Sequence, residues 1–270
     1  MYSNMEKFLY RARRKLVLEA RRLTAPLRHH PNMLIIGAQK AGTTSLYDYL
    51  QQHPNVGGSL KKEVSFFNDN YHRGLSWYHG HFPLKTTDFD IVFEASPNYI
   101  FSQETPARIA ANYPEMQIIA LLRHPIHRAY SHYTMDLRFG RINKSLSFAD
   151  VVAIEQDQIQ HDTVKSFSYL ARGYYWEQLA RWFAVFPKEK ILLHQAEALF
   201  ENTADVYQEV LQFLELPDWQ PPHFEARNQS GASQGVRDKI GDDLYNRLID
   251  YFNPYNEQLF QHLGKRYNWD

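Results

Sequence analysis

The stretch MLIIGAQKAGTTSLYDYL, Met33 to Leu50, decides how the rest of the chain is read. Met33 to Gly37 is a short apolar run ending in glycine, the pattern of a buried strand. Thr43 to Gln52 has Leu46, Tyr47 and Leu50 spaced for one buried face of a helix. The turn between them is bounded by Gly37 and Gly42. It almost fits the phosphate-binding pattern G-x-x-x-x-G-K-[ST], with Thr44 in the final place. The lysine is displaced: Thr43 holds its position, and Lys40 lies inside the loop.

Outward from this unit the pattern repeats. Ile91 to Ser96, Gln117 to Leu122 and Lys190 to Gln195 are further strand candidates. Helical periodicity lies over Thr105 to Asn112, Ile126 to Arg138, Tyr174 to Phe186 and Ala204 to Leu214. Strands alternating with helices predict an α/β fold, a central parallel sheet flanked by helices on both faces. Such sheets bind ligands beyond the carboxyl ends of their strands, where the key loops here begin. Asn143 to Ser168 is polar and weakly patterned, and reads as an insertion over one edge. Asp242 to Arg266 reads as a helical hairpin broken near Pro254.

The chain has 270 residues, 44% of them hydrophobic, enough for one large domain. Residues 1–31 form a basic, helix-prone leader and 32–270 the domain. Leu9, Leu16, Val17 and Leu23 form an apolar stripe in that leader, which suits either a solvated or partner-docking helix or peripheral contact with a membrane surface. Lys and Arg total 30, as do Asp and Glu, so any anion site is local and a generally basic nucleic-acid binder is disfavoured. The chain has no cysteine, which removes disulfides and cysteine zinc sites and suits a reducing compartment. Its thirteen histidines contain no H-E-x-x-H pair. No run of 18 apolar residues is present.

Three stretches carry the candidate site. In the loop, backbone N–H groups of Ala41 and Gly42 and the start of the helix offer an anion site. Thr43, Thr44 and Ser45 add hydroxyls beyond the single one an N-cap needs. Lys40 is placed to meet an oxygen between a 5′-phosphate and a second group. In LLRHPIHRAYSHY, Leu121 to Tyr133, Arg123 leaves a strand end and Ser131 follows on the next helix. Alone these are an ordinary surface arginine and serine. Beside a phosphate loop they suit a second phosphate. In KKEVSFF, from Lys61, Glu63 precedes an apolar run that dives into the core. A carboxylate in a charge run is usually solvated, but at the rim of a site it can take a proton from a hydroxyl. Trp77, Tyr78, Tyr174, Tyr175 and Trp176 suit either sugar stacking or the core.

Together these stretches resemble the sulfotransferases that use 3′-phosphoadenosine 5′-phosphosulfate, and within them the heparan sulfate branch and its bacterial relatives. GAQKAGTTSL resembles their 5′-phosphosulfate loop, LLRHPIHRAYSHY their 3′-phosphate motif, and KKEVSFF the segment with the catalytic glutamate. The resemblance runs from Asn32 to Asp270. It implies a P-loop-NTPase-like sheet and a donor with one 5′-phosphate carrying a sulfuryl group, which accounts for the displaced lysine. It implies Glu63 and Lys40 as catalytic residues. It implies Lys40, Ala41, Gly42, Thr43, Thr44, Ser45, Arg123, Ser131 and Arg237 as donor contacts, with no metal. The implied acceptor is a hydroxyl or amine, on a saccharide, a glycolipid or another small hydroxylated molecule. Three departures stand out: Ala95 where heparan sulfate members usually carry lysine, Gln234 where they carry another, and no cysteine pair. With no membrane anchor read in the sequence, these absences suit a bacterial, cytoplasmic enzyme. The alternatives left open are a noncatalytic adenosine bisphosphate-binding module and a P-loop kinase. Oligomeric state is not readable from the residues.

Overall fold

The computed structural model describes residues 16–161, 168–222, 224 and 235–269. Its centre is a parallel sheet of five strands: β1 Met33–Gly37, β2 Val56–Gly58, β3 Ile91–Ala95, β4 Gln117–Leu122 and β5 Ile191–Gln195. The order across the sheet is β2-β3-β1-β4-β5. β1 and β3 are buried along their whole length, which requires cover on both faces. Helices supply it: α1 Thr43–Leu50, α2 Leu75–His79, α3 Thr105–Asn112, α4 Pro125–Arg138, α5 Phe148–Gln160, α6 Tyr175–Phe183, α7 Ala196–Glu201, α8 Thr203–Phe213, α9 Val236–Ile240 and α10 Asp242–Leu263. The fold is the α/β architecture expected from the alternating pattern.

The topology selects the site. From β1 the chain runs out to edge strand β2 and returns through β3. From β4 it runs the other way, to β5. Loops leaving the adjacent strands β1 and β4 therefore diverge and open a crevice at their carboxyl ends. Ile35 pairs with Ile119, and the register then shifts so that Gly37 meets Ala120 where the loops begin. Ala38 N–H donates to Leu121 O at 2.6 Å as the two chains leave the sheet.

Two expectations are corrected. Asp242 to Arg266 is not a broken hairpin, since α10 runs unbroken through Pro254. Leu244, Tyr245, Leu248 and Phe252 before the proline and Leu259 and Phe260 after it are all buried. Burial of about 2 kcal/mol per large side chain outweighs the roughly 3 kcal/mol cost of an interior proline. The supposed edge insertion contains α5, opened by a capping box between Ser147 and Asp150. Phe148, Val151, Val152 and Glu155 form its buried face. Glu155 concealed the periodicity, because its fully buried carboxylate accepts Leu170 N–H at 2.8 Å and Ala171 N–H at 3.0 Å.

Within the leader, residues 16–23 are helical and Leu9 lies outside the described residues. Arg21 Nε donates to Gly80 O at 2.6 Å and its Nη2 to Phe82 O at 2.7 Å, tying the described leader to the turn after α2. Leu16, Val17 and Leu23 remain exposed. Among the described residues no helix is long and apolar enough to cross a membrane.

Candidate active site

Both bounding glycines of the loop are required by its geometry. A Cβ on Gly37 would lie 2.4 Å from Ile100 Cγ2, so the loop could not pass over that side chain. Gly42 has φ 87° and is the N-cap of α1. No side chain caps that helix, although three hydroxyl residues open it. Capping is thus not what Thr43, Thr44 and Ser45 supply. Their helix begins with its N–H groups and positive dipole end directed toward the crevice side of the loop. Lys40 sits at φ 74°, a left-handed conformation that a residue with a Cβ adopts at a cost on the order of 1–2 kcal/mol. Such strain is characteristic of loops shaped for a ligand.

The second wall follows β4. Arg123 Nη1 donates to Lys40 O at 2.9 Å, so the arginine bridges the crevice to the loop. Its backbone is fixed by Tyr175, whose hydroxyl donates to Arg123 O at 2.6 Å. Arg123 is 6% exposed and Ser131 5%, yet Arg123 Nε and Ser131 Oγ have no hydrogen-bond partner among the described residues. Arg128, on the same helix, is 0% exposed, and its Nη2 donates to Tyr169 O while Nε and Nη1 are unpartnered. Buried donors in this number mark a place where an anion is the natural acceptor. Electrostatics agree. The Lys40 ammonium is held below its ordinary range, first by burial and then by Arg123. Arg123 is lowered by burial, with Glu197 acting in the other direction.

The third wall is the segment after β2. Val64, Phe66 and Phe67 are buried, while the Glu63 side chain remains 52% exposed at the rim. From the sequence, Lys62 can be expected to keep its neighbour Glu63 ionised, but its contact with the loop cannot be read there. Lys62 Nζ donates to Thr44 Oγ1 at 2.9 Å and to Thr43 Oγ1 at 3.4 Å, and lies 3.6 Å from Glu63 Oε1. Burial lowers its pKa, and Glu63 opposes that shift. Lys62 thus links the loop hydroxyls to the candidate base. The only signal of that link in the sequence was its place in the pair Lys61–Lys62, which reads equally as surface charge.

Other expected contacts fall differently. Arg237, in α9, is paired with Asp242 and lies 3.4 Å from Asn246 Oδ1 and over the ring of Tyr245. Tyr245 Oη in turn lies 3.4 Å from His124 Nε2 and 3.2 Å from His127 Nε2, on the segment that follows Arg123. Gln234 lies outside the described residues. Ala95 is fully buried at the end of β3 and donates its N–H to Lys62 O at 3.1 Å. Trp77, Tyr78, Tyr174 and Tyr175 are core residues rather than a stacking surface. Trp176 is partly buried and stacks on His262 at 3.8 Å. His132, the neighbour of Ser131, is 3.5 Å from Asp136. Its pKa is pushed down to about 2 by burial and then by Arg128, Arg172, Lys40 and Arg141.

A five-stranded parallel sheet with a glycine-bounded loop and a helix N-terminus at its switch point defines a P-loop-like α/β protein. The chain belongs to the sulfotransferase domain family, whose model matches residues 30–227. It is 29% identical over 259 residues to heparan sulfate glucosamine 3-O-sulfotransferase 3A1 of Mus musculus, covering 89% of this chain and 64% of that protein. It is 35% identical over 205 residues to bifunctional heparan sulfate N-deacetylase/N-sulfotransferase 4 of Mus musculus, covering 73% of this chain and 23% of that protein. The chain thus spans less than two-thirds of the length of these relatives. A solved sulfotransferase from Alicyclobacillus acidocaldarius matches with a TM-score of 0.71 and 27% identity, covering 88% of this chain and 98% of that one.

Proposed function

We propose that the protein transfers a sulfuryl group from 3′-phosphoadenosine 5′-phosphosulfate to a hydroxyl or amine of a saccharide or glycolipid. The observation that carries this reading is Arg123, which bridges to Lys40 O while keeping a buried, unpartnered Nε beside the loop. One residue thereby joins two anion sites, as a donor phosphorylated at both the 5′ and 3′ positions needs. In this reading the loop N–H groups and Thr43, Thr44 and Ser45 hold the 5′-phosphosulfate. Arg123 and Ser131 hold the 3′-phosphate. The acceptor oxygen attacks sulfur, the bond from sulfur to the bridging phosphate oxygen breaks, and the acceptor proton passes to the Glu63 carboxylate. Adenosine 3′,5′-bisphosphate leaves with the bridging electron pair. Lys40 neutralises charge that grows on that oxygen, and Lys62 holds Glu63 beside the loop. The names of the heparan sulfate relatives support a saccharide acceptor.

The test is calorimetric binding of adenosine 3′,5′-bisphosphate against ATP, followed by transfer of labelled sulfate to heparan sulfate and to a glycolipid extract. Tighter binding of the bisphosphate and label on either acceptor are expected. Preference for ATP would favour a kinase, and bisphosphate binding with no labelled product would favour a noncatalytic module.

A further inference from the structure

Glu94 lies in the middle of the molecule, on β3, and is 0% exposed. A carboxylate so buried is costly without partners, and its hydrogen-bond partners include no cation. Four neutral donors meet it instead. Ser96 Oγ and Tyr99 Oη each donate at 2.6 Å, Tyr78 Oη at 3.2 Å and Val64 N–H at 3.3 Å. Two of these hydroxyls pass the connection on. Ser65 N–H donates to Ser96 Oγ at 2.9 Å. Phe66 N–H and Phe67 N–H donate to Tyr99 Oη at 2.8 and 3.3 Å. Four consecutive backbone N–H groups, Val64 to Phe67, therefore end on one carboxylate, directly or through one hydroxyl.

Those four residues lead into a π-helical turn, Phe66–Asn70, entered through Ser65 in a left-handed conformation at φ 53°. Its N-cap Ser65 makes no side-chain cap bond, and Asn70 Nδ2 ties only the carbonyls of Ser65 and Val64, at 3.0 and 3.3 Å, leaving the N–H groups to Glu94 and its hydroxyls. Glu63 is the residue immediately before. On its other side, Lys62 O accepts Ala95 N–H from the same strand. The Glu63 side chain is half exposed and meets Lys62 Nζ only at 3.6 Å, so its position is set by the backbone that carries it.

We propose that Glu94 is a positioning residue for Glu63: through Val64, Ser96 and Tyr99 it fixes the backbone from which Glu63 reaches the acceptor. This rests on the reading of Glu63 as the base. Glu94 touches neither donor nor acceptor. A carboxylate suits the role because both its oxygens accept, so Ser96 and Tyr99 spend their protons on Glu94 and keep lone pairs for the backbone. An amide at that place presents one N–H₂ group to donors that have nothing to receive.

The test is a double-mutant cycle of Glu94→Gln with Glu63→Gln, with Tyr99→Phe as a milder second variant. The rate of bisphosphate release from the phosphosulfate donor is measured with and without heparan sulfate, beside calorimetric binding of adenosine 3′,5′-bisphosphate. Glu94→Gln and Tyr99→Phe should each slow release by up to about 10²-fold, the loss expected of a misplaced group. Bisphosphate affinity should stay within about threefold, since Glu94 and Tyr99 bond the Val64–Phe67 backbone and not the residues of the loop. In the Glu63→Gln background neither change should slow release further, because the base they position is gone. Multiplying effects, an unchanged rate, or a loss of affinity parallel to the loss of rate would overturn the positioning role. Should Glu94→Gln fail to fold, Tyr99→Phe decides between these outcomes. Normal release by Glu63→Gln alone would instead overturn the reading of the base.

Discussion

Residue by residue, the crevice between β1 and β4 separates binding from turnover. Arg123→Ala and Ser131→Ala should each weaken binding of adenosine 3′,5′-bisphosphate by about 1.5–3 kcal/mol, the worth of a hydrogen bond to a charged group. Adenosine 5′-phosphosulfate, which lacks the 3′-phosphate, serves as the control. Its binding should change little, and equal losses for both nucleotides would remove the 3′-phosphate from these residues. Lys40 should behave differently. Its ammonium is half-buried near Arg123, and both effects lower its pKa. Charge that develops in transfer stabilises it most, so Lys40→Ala should lower the single-turnover rate more than donor affinity. A mutant that binds weakly but transfers at the normal rate would make Lys40 a plain phosphate contact. Glu63 and His132 compete for the role of base. Four cations and burial hold His132 in its neutral form with a pKa of about 2, which leaves it a poor proton acceptor at neutral pH.

At the scale of elements, the loop and the helices answer to different demands. Gly37→Ala places a Cβ 2.4 Å from Ile100 Cγ2 and 3.1 Å from Pro97 O, in a strand buried throughout. Overpacking of this kind costs about 1–3 kcal/mol and displaces the loop. Thermal unfolding and bisphosphate affinity should therefore both fall in this variant. Ser147→Ala offers the contrast. It removes the capping box of α5 at a cost of about 1 kcal/mol, far from the loop. Unfolding should shift downward while bisphosphate affinity stays the same. If Ser147→Ala loses affinity as well, α5 is coupled to the crevice through the Tyr169–Leu170 turn that Glu155 and Arg128 hold.

Taken whole, the molecule carries several buried or half-buried neutral histidines, and these set the sign of its response to acid. Burial pushes His79 down to about 4, His124 to about 3 and His127 to about 4, and His132 is lowered to about 2. Each has a folded pKa below the ordinary value of about 6.5. The unfolded chain therefore binds their protons first. Their contribution to stability is present above about pH 6.5 and is lost as pH falls toward the folded values. Glu94 acts in the opposite sense. Its folded pKa is raised to about 7, first by burial, so its contribution is lost as pH rises from the ordinary carboxylate range through about 7. Melting temperature should fall between pH 6.5 and 5, and His132→Asn should make that fall shallower by the share of one proton. An equal slope in the variant would mean that His132 is already protonated in the fold.

Much of this was legible in the residues alone, because it is local. An apolar run, two glycines and a periodic helix define the strand–loop–helix unit wherever the rest of the chain goes. Arg123 and Ser131 could be read from a strand end and the helix after it. The rest depended on residues far apart in the chain. Edge strand β2 is three residues with two glycines, and only its pairing with β3 makes it a strand. The buried Glu155 broke an apolar pattern that the tertiary contact with Leu170 and Ala171 explains. Lys62 reads as surface charge until the fold sets it against Thr44. Glu94 reads as a polar interruption in an apolar strand until Tyr78, Tyr99 and Val64 close around it. Conformational preference and periodicity act between near neighbours and are written in order along the chain. The pairing of buried polar groups is satisfied across space, and only the folded packing of the sheet with its loops decides which groups meet.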